Sequence, residues 1–114
     1  MRVVFLLMGL FLGISAYSQE NIQYVQDPVT EKISYTKFYS NGQVAETGSF
    51  NTNHKTDGKF ISYDREGNIL SIAYYRNGKR YGTWKHYHGN AYIEVIYRDG
   101  RPFKVLEERT FASN

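Results

Sequence analysis

The chain has no cysteine. That absence removes disulfides, thiolate metal centres and thiol nucleophiles together, and leaves stability to packing and backbone pairing. Proline occurs only twice, and beyond the N-terminal stretch leucine is reduced to Leu70 and Leu106. No segment sustains a helical period, so a helix covering one side of a sheet is not expected. Charge of one sign is also lacking: 14 Lys and Arg face 11 Asp and Glu. No basic stripe or cluster of the kind that tracks a phosphate backbone is present, and a nucleic-acid partner is excluded on that ground.

What the chain has in excess is tyrosine, 11 of 114 residues, together with 10 glycines. Tyr, Phe, Ile and Val favour strands. The N-terminus reads differently from the rest. Arg2 precedes Val3 to Ile14, an unbroken apolar run, and Ala16-Tyr17-Ser18 fits an A-x-S cleavage site before Gln19. This is the pattern of a secretory leader, with an apolar run too short to span a membrane. The expected organisation is a signal peptide over 1–18 and one domain over 19–114. No cysteine follows the apolar run, so a lipoprotein anchor has no residue to carry it.

Turn signals recur along the domain. Asn41-Gly42, Asn77-Gly78 and Asp99-Gly100 are dipeptides that suit tight hairpins. Glu66-Gly67-Asn68, Gly89-Asn90 and Asp27-Pro28 read as further turns, and Asn51 to Thr56 as a polar loop. Strand-length segments lie between them, at about 22–26, 32–40, 43–50, 58–64, 68–76, 82–88, 91–98 and 102–110. Short connections predict consecutive antiparallel pairing, hence an all-β, elongated meander of about eight strands. Alternation does not separate apolar from polar residues cleanly: Ile72 and Tyr74 share one face, Ala73 and Tyr75 the other. Either both sides are covered or the sheet is thin and its rings lie over its own backbone.

An internal repeat organises the middle of the chain. Gly58-Lys59-Phe60-Ile61-Ser62-Tyr63 aligns with Gly82-Thr83-Trp84-Lys85-His86-Tyr87 at an offset of 24 residues, both reading G-x-[FW]-x-x-Y, and Gly48-Ser49-Phe50 matches the start of the motif. Between these stand Phe38-Tyr39-Ser40-Asn41-Gly42, Tyr74-Tyr75-Arg76-Asn77-Gly78 and Ile96-Tyr97-Arg98-Asp99-Gly100. On YSNGQVAETGSF, DGKFISYDREGNILSIAYYRNGKRYGTWKHY and YRDG, the chain resembles the bacterial MORN-repeat-variant family from about Phe38 to Gly100. The match is close at Gly82, Trp84 and Tyr87. It departs where Phe60 replaces the tryptophan and where the 51–56 loop interrupts the spacing. The resemblance implies hairpin repeats stacked into a single-layer or thinly packed sheet, carries no catalytic residue, and implies a Gram-negative source. A glycine beside the aromatic leaves bare backbone over which a neighbouring ring can lie flat.

Candidates for chemistry are few. His86 and His88, two apart on a strand, share a face with Trp84, and an H-x-H pair holds a metal only if another element adds a ligand. His54 is the only other histidine. Ser34, Ser40, Ser49, Ser62 and Ser71 lie in no nucleophile elbow, and the carboxylate pairs Asp64/Glu66 and Glu107/Glu108 read as solvated charges. No catalytic, metal or cofactor site is therefore assigned. The basic tips Lys79, Arg80 and Arg101 read as solvated turns.

The functional expectation is a non-enzymatic, exported interaction or structural module of the cell envelope, periplasmic or extracellular. Its partner would be an envelope or secreted protein, met by an aromatic face or by strand addition at an open edge. One alternative is a module for carbohydrate or lipid head groups acting through the aromatic row. Another, implied by the resemblance, is an antitoxin-type inhibitor of an exported toxin. Self-association through the sheet edges is a further expectation.

Overall fold

The computed structural model describes residues 21–110, of which 107–110 are described as backbone only. The expected leader over 1–18 lies outside the described residues. Nine antiparallel strands form one open sheet, and no helix occurs among the described residues. They are β1 (Asn21–Gln26), β2 (Ile33–Phe38), β3 (Val44–Phe50), β4 (Gly58–Tyr63), β5 (Ile69–Arg76), β6 (Lys79–Arg80), β7 (Gly82–His88), β8 (Ala91–Arg98) and β9 (Arg101–Thr110). Eight of them pair in chain order from β1 to β9, while the two-residue β6 pairs with β5. The meander of hairpins expected from the turn spacing is thus the fold. The addition to it is β6, the short return arm of the Asn77-Gly78 hairpin, separated from β7 by Tyr81.

The tight turns divide into two kinds. At Asn77-Gly78 and Asp99-Gly100 both central residues have positive φ (48° at Asn77, 52° at Asp99), the mirror-image turn whose twist matches that of the strands. Asn41-Gly42 differs from its expected tight form. There the loop is wider: Tyr39 N donates to Gln43 O at 2.8 Å, and Asn41 uses its side chain to accept Gln43 N at 2.9 Å. The same loop recurs at Asp64 to Asn68, where Asp64 N donates to Asn68 O. Both wide loops carry a register shift in the adjoining strand. The tight turns at the opposite end are stitched to the preceding unit. Gly78 N donates to Thr56 O at 2.8 Å, and Gly100 N to Arg80 O at 3.1 Å, two equivalent bonds one repeat apart.

The core explains the repeat motif. Small-x-aromatic triplets occur at Gly48/Phe50, Gly58/Phe60, Ala73/Tyr75 and Gly82/Trp84, and their two outer members share a face because side chains alternate along a strand. Laid antiparallel, the same triplet reverses from strand to strand, so large and small residues alternate across the sheet as well as along it. Tyr35 stands opposite Gly48, and Phe60 opposite Ala73. The neighbouring pairs Thr47↔Ile61 and Ile72↔Lys85 then place Gly48 beside Phe60 and Ala73 beside Trp84. Each ring leans over a small neighbour and meets the next ring. A Cβ at Gly48 would land on the Phe60 ring atoms.

The sheet therefore resolves the ambiguous alternation in favour of a thin layer whose aromatics cover their own backbone. Phe60, Ala73 and Trp84 form the buried cluster, with Tyr35, Tyr74, Tyr75 and Tyr97 packed against it. No side chain among the described residues is fully buried. Of the three glycines that precede aromatics, two behave differently from the expectation. Gly58 and Gly82 take φ of 108° and 78°, where the strand re-enters the ladder after a hairpin, and the ring-covered glycine is Gly48.

Candidate functional site

Strand register assembles one face from residues far apart in sequence. Its central feature is a chain of rings: Tyr24 to Tyr35 at 5.8 Å, Tyr35 to Phe60 at 6.3 Å, Phe60 to Tyr75 at 5.2 Å, Tyr75 to Trp84 at 5.2 Å and Trp84 to Tyr97 at 4.8 Å between centroids. Phe50 meets Tyr35 and Phe60 edge-on. Such tilted and edge-to-face contacts are the favoured geometries of aromatic pairs. Phe60 and Trp84 are buried, while Tyr35, Phe50, Tyr75 and Tyr97 are half-buried and Tyr24 is exposed.

Beside the rings runs a polar row that the linear sequence does not announce. Lys37, Glu46, Ser62, Ser71 and His86 stand opposite one another in succession across β2, β3, β4, β5 and β7. Tyr35 Oη donates to Glu46 Oε1 at 3.0 Å, tying the row to the rings. Glu46, Ser62, Ser71, Phe60, Tyr75 and Trp84 line a cleft of about 330 Å³ between them. A larger hollow of about 510 Å³ lies where the β2–β3 and β4–β5 hairpins splay, between Lys37, Tyr39, Tyr63 and Arg65. Tyr39 Oη donates to Tyr63 O there at 2.6 Å, and the Arg65 guanidinium sits 4.7 Å from the Tyr39 ring.

The sequence-singled residues fall into four places. Phe60 and Trp84 form the floor of the ring face, with the Trp84 indole N–H donating to Tyr74 O at 3.0 Å and Tyr81 O at 3.2 Å. Tyr63 and Tyr87, the last letters of the motif, alternate to the other side of their strands, where Tyr87 pairs with Tyr92 at 5.5 Å. Gly58 and Gly82 mark strand re-entry. Asn41, Gly42, Asn77, Gly78, Asp99 and Gly100 lie in the turns, Asn41 in the wide one. Asn77 also takes part in a loop junction: its N–H donates to Asp57 Oδ1 at 2.8 Å, and its side-chain oxygen accepts Asn51 Nδ2 at 2.9 Å.

The two β7 histidines do share the Trp84 face, His86 lying 6.3 Å from the indole. His54 sits in the loop at the other end of the strands, and among the described residues no group of three or more His, Asp or Glu is placed to hold a metal ion. Arg80 is not a free tip. Its guanidinium lies 5.3 Å from the Tyr97 ring and 6.0 Å from that of Trp84, roofing the end of the ring chain. Two turn carboxylates have lowered pKa values: Asp64 through the backbone N–H of Asn68, and Asp27 through those of Thr30 and Val29. Both accept the backbone N–H groups that close their turns.

Chemically, the face offers half-buried rings for apolar or stacking contact, flanked by one ammonium, one carboxylate, two hydroxyls and an imidazole. None of the described hydrogen bonds joins Ser71 to His86, the one serine and histidine that stand opposite each other. Comparison with protein-family models, with curated proteins and with solved structures finds no match. Among the described residues no helix is long and apolar enough to cross a membrane.

Proposed function

We propose that the chain is a non-enzymatic interaction module of the bacterial cell envelope, exported to the periplasm or beyond, that binds a protein partner through its ring-bearing face. The observation carrying this reading is that a face built of aromatic rings has no second layer over it among the described residues. Globular sheets bury such a face against another layer. Here Tyr24, Ile93 and Val105 on the same face stay 53%, 39% and 65% exposed. Apolar and aromatic area left open in this way marks interaction surfaces. The leader pattern at residues 1–18 and the resemblance to MORN-repeat variants support the envelope location.

The test is affinity capture from envelope extract, using the chain processed from its own leader as bait. The control is Ile93→Lys with Val105→Lys, which charges the face at exposed positions and leaves the rings in place. A single protein enriched by the natural chain and lost with the folded double variant is the expected result. Equal capture by both baits overturns the reading. Retention of glycan or lipid alone replaces it with the carbohydrate- or lipid-binding alternative, for which the Glu46–Ser62–Ser71–His86 row supplies hydrogen-bonding groups beside the rings.

A further inference from the structure

The two edges of the sheet are built differently. The outer strand β9 carries five charged residues in ten, includes Pro102, which has no N–H to offer, and breaks register with β8 twice. Charge, proline and bulges are the devices by which sheets block edge pairing. At the other edge, β1 reads Asn-Ile-Gln-Tyr-Val-Gln with no charge and no proline, and pairs with β2 in unbroken register. All six of its residues are exposed. No described strand lies on its outer side.

The direction of its free backbone groups follows from the adjoining turn. Asp27 N donates inward to Lys32 O at 2.8 Å. Alternate residues of an antiparallel strand point the same way, so Val25, Gln23 and Asn21 bond to β2, while Ile22, Tyr24 and Gln26 turn their N–H and C=O groups outward. A two-fold axis perpendicular to the sheet brings a second β1 alongside antiparallel and keeps each face on its own side. Opposed residues must then share a face, which requires equal parity. Centring the axis on Tyr24 sets Tyr24 against its copy and Ile22 against the copy's Gln26, and uses all three outward-facing residues.

We propose that β1 pairs antiparallel with β1 of a second copy of this chain, joining two sheets into one. The second copy is the fitting occupant because the joint is self-complementary and uncharged, and because the blocked β9 edge prevents open-ended growth, so that the assembly closes as a dimer. The joint also continues the ring face, since Tyr24 already contacts Tyr35 and Phe50.

The experiment is sedimentation of the processed full chain across a concentration series, with three variants. Because the chain has no cysteine, Tyr24→Cys introduces a single thiol. Opposed Cα atoms of a hydrogen-bonded antiparallel pair lie about 5.5 Å apart, within disulfide reach, so mild oxidation should give a covalent dimer. Phe103→Cys on the β9 edge should not. Ile22→Lys with Gln26→Lys faces like charges across the joint twice and should weaken dimerisation roughly tenfold, whereas Ile22→Lys with Gln26→Glu restores it. A natural chain that stays monomeric throughout the series, or a dimer indifferent to the double-lysine change, overturns the proposal. A monomer that still captures its partner through Ile93 and Val105 removes the dimer and leaves the proposed function standing.

Discussion

Phe60 and Trp84 occupy equivalent places in successive hairpin units, yet the chain supports them by different means. Under Trp84 lies Ala73, and the indole N–H reaches the carbonyls of Tyr74 and Tyr81. Under Phe60 lies Gly48, pressed so closely by the ring that no Cβ fits. Phenylalanine has no N–H, and in this unit the carbonyl of Asp57, equivalent to that of Tyr81, accepts the Ser49 hydroxyl instead. The backbone bond beneath is the same in both: Asp57 N donates to Ser49 O as Tyr81 N donates to Tyr74 O. A single-layer sheet thus keeps two requirements constant, a small residue beneath each ring and a donor for the re-entry carbonyl. It varies which residue meets them.

Removing the larger ring breaks the comparison most severely. Trp84 is buried and contacts Tyr75, His86 and Tyr97. Trp84→Ala is expected to cost about 3–5 kcal/mol, the usual range for a buried large aromatic. Urea unfolding followed by circular dichroism measures it, and a loss below about 1 kcal/mol would mean that the ring chain does not serve as the core.

The next effect tests the padding. Gly48→Ala sets a methyl against the Phe60 ring and should destabilise by about 1–3 kcal/mol through overpacking. The opposite exchange in the other unit, Ala73→Gly, should cost only about 0.5–1 kcal/mol, chiefly through backbone entropy. Combining Gly48→Ala with Phe60→Leu should cost less than the sum, because the methyl and the ring meet directly. Strict additivity would show that the ring does not press on Gly48 in solution.

Much of this arrangement is legible in the sequence, and the limits have a physical cause. Strand positions and turns follow from local chemistry: Asn77-Gly78 and Asp99-Gly100 adopt the mirror-image turn their residue types favour. Asn41-Gly42 carries the same letters but closes a wider loop, because the Asn41 side chain bonds Gln43 N rather than leaving the backbone to make the turn. The G-x-[FW] motif contains Phe60 and Trp84, the two large rings of the buried cluster. It does not reveal that Gly48, at the start of the weakest copy, is the glycine lying under a ring, since that depends on the β3–β4 register. The Lys37–Glu46–Ser62–Ser71–His86 row is hidden for the same reason: it needs four strand pairings to be aligned at once. Lone serines and a lone histidine carry no linear signal of their meeting. The contrast between the edges lies in Pro102 and Lys104 against the uncharged β1, but which strands are outermost follows only from the pairing.

The smallest expected effect concerns the carbonyl cap and sharpens the comparison furthest. Ser49→Ala leaves the half-buried carbonyl of Asp57 without its hydroxyl donor and should cost about 1 kcal/mol. Phe60→Trp places an indole N–H where its counterpart in the other unit reaches the same kind of carbonyl. In the natural background that N–H finds the Asp57 carbonyl already engaged by the Ser49 hydroxyl and keeps only the Ser49 carbonyl, the equivalent of Tyr74 O, so the larger ring gains one of its counterpart's two acceptors. Once Ser49 is alanine the Asp57 carbonyl is open. Phe60→Trp should therefore be better tolerated alongside Ser49→Ala than alone, with a coupling of about 0.5–1 kcal/mol in a double-mutant cycle from unfolding midpoints. A positive coupling makes the hydroxyl and the indole alternative solutions to one backbone requirement. Zero coupling would mean that the two units share a strand pattern but not the bond that closes it.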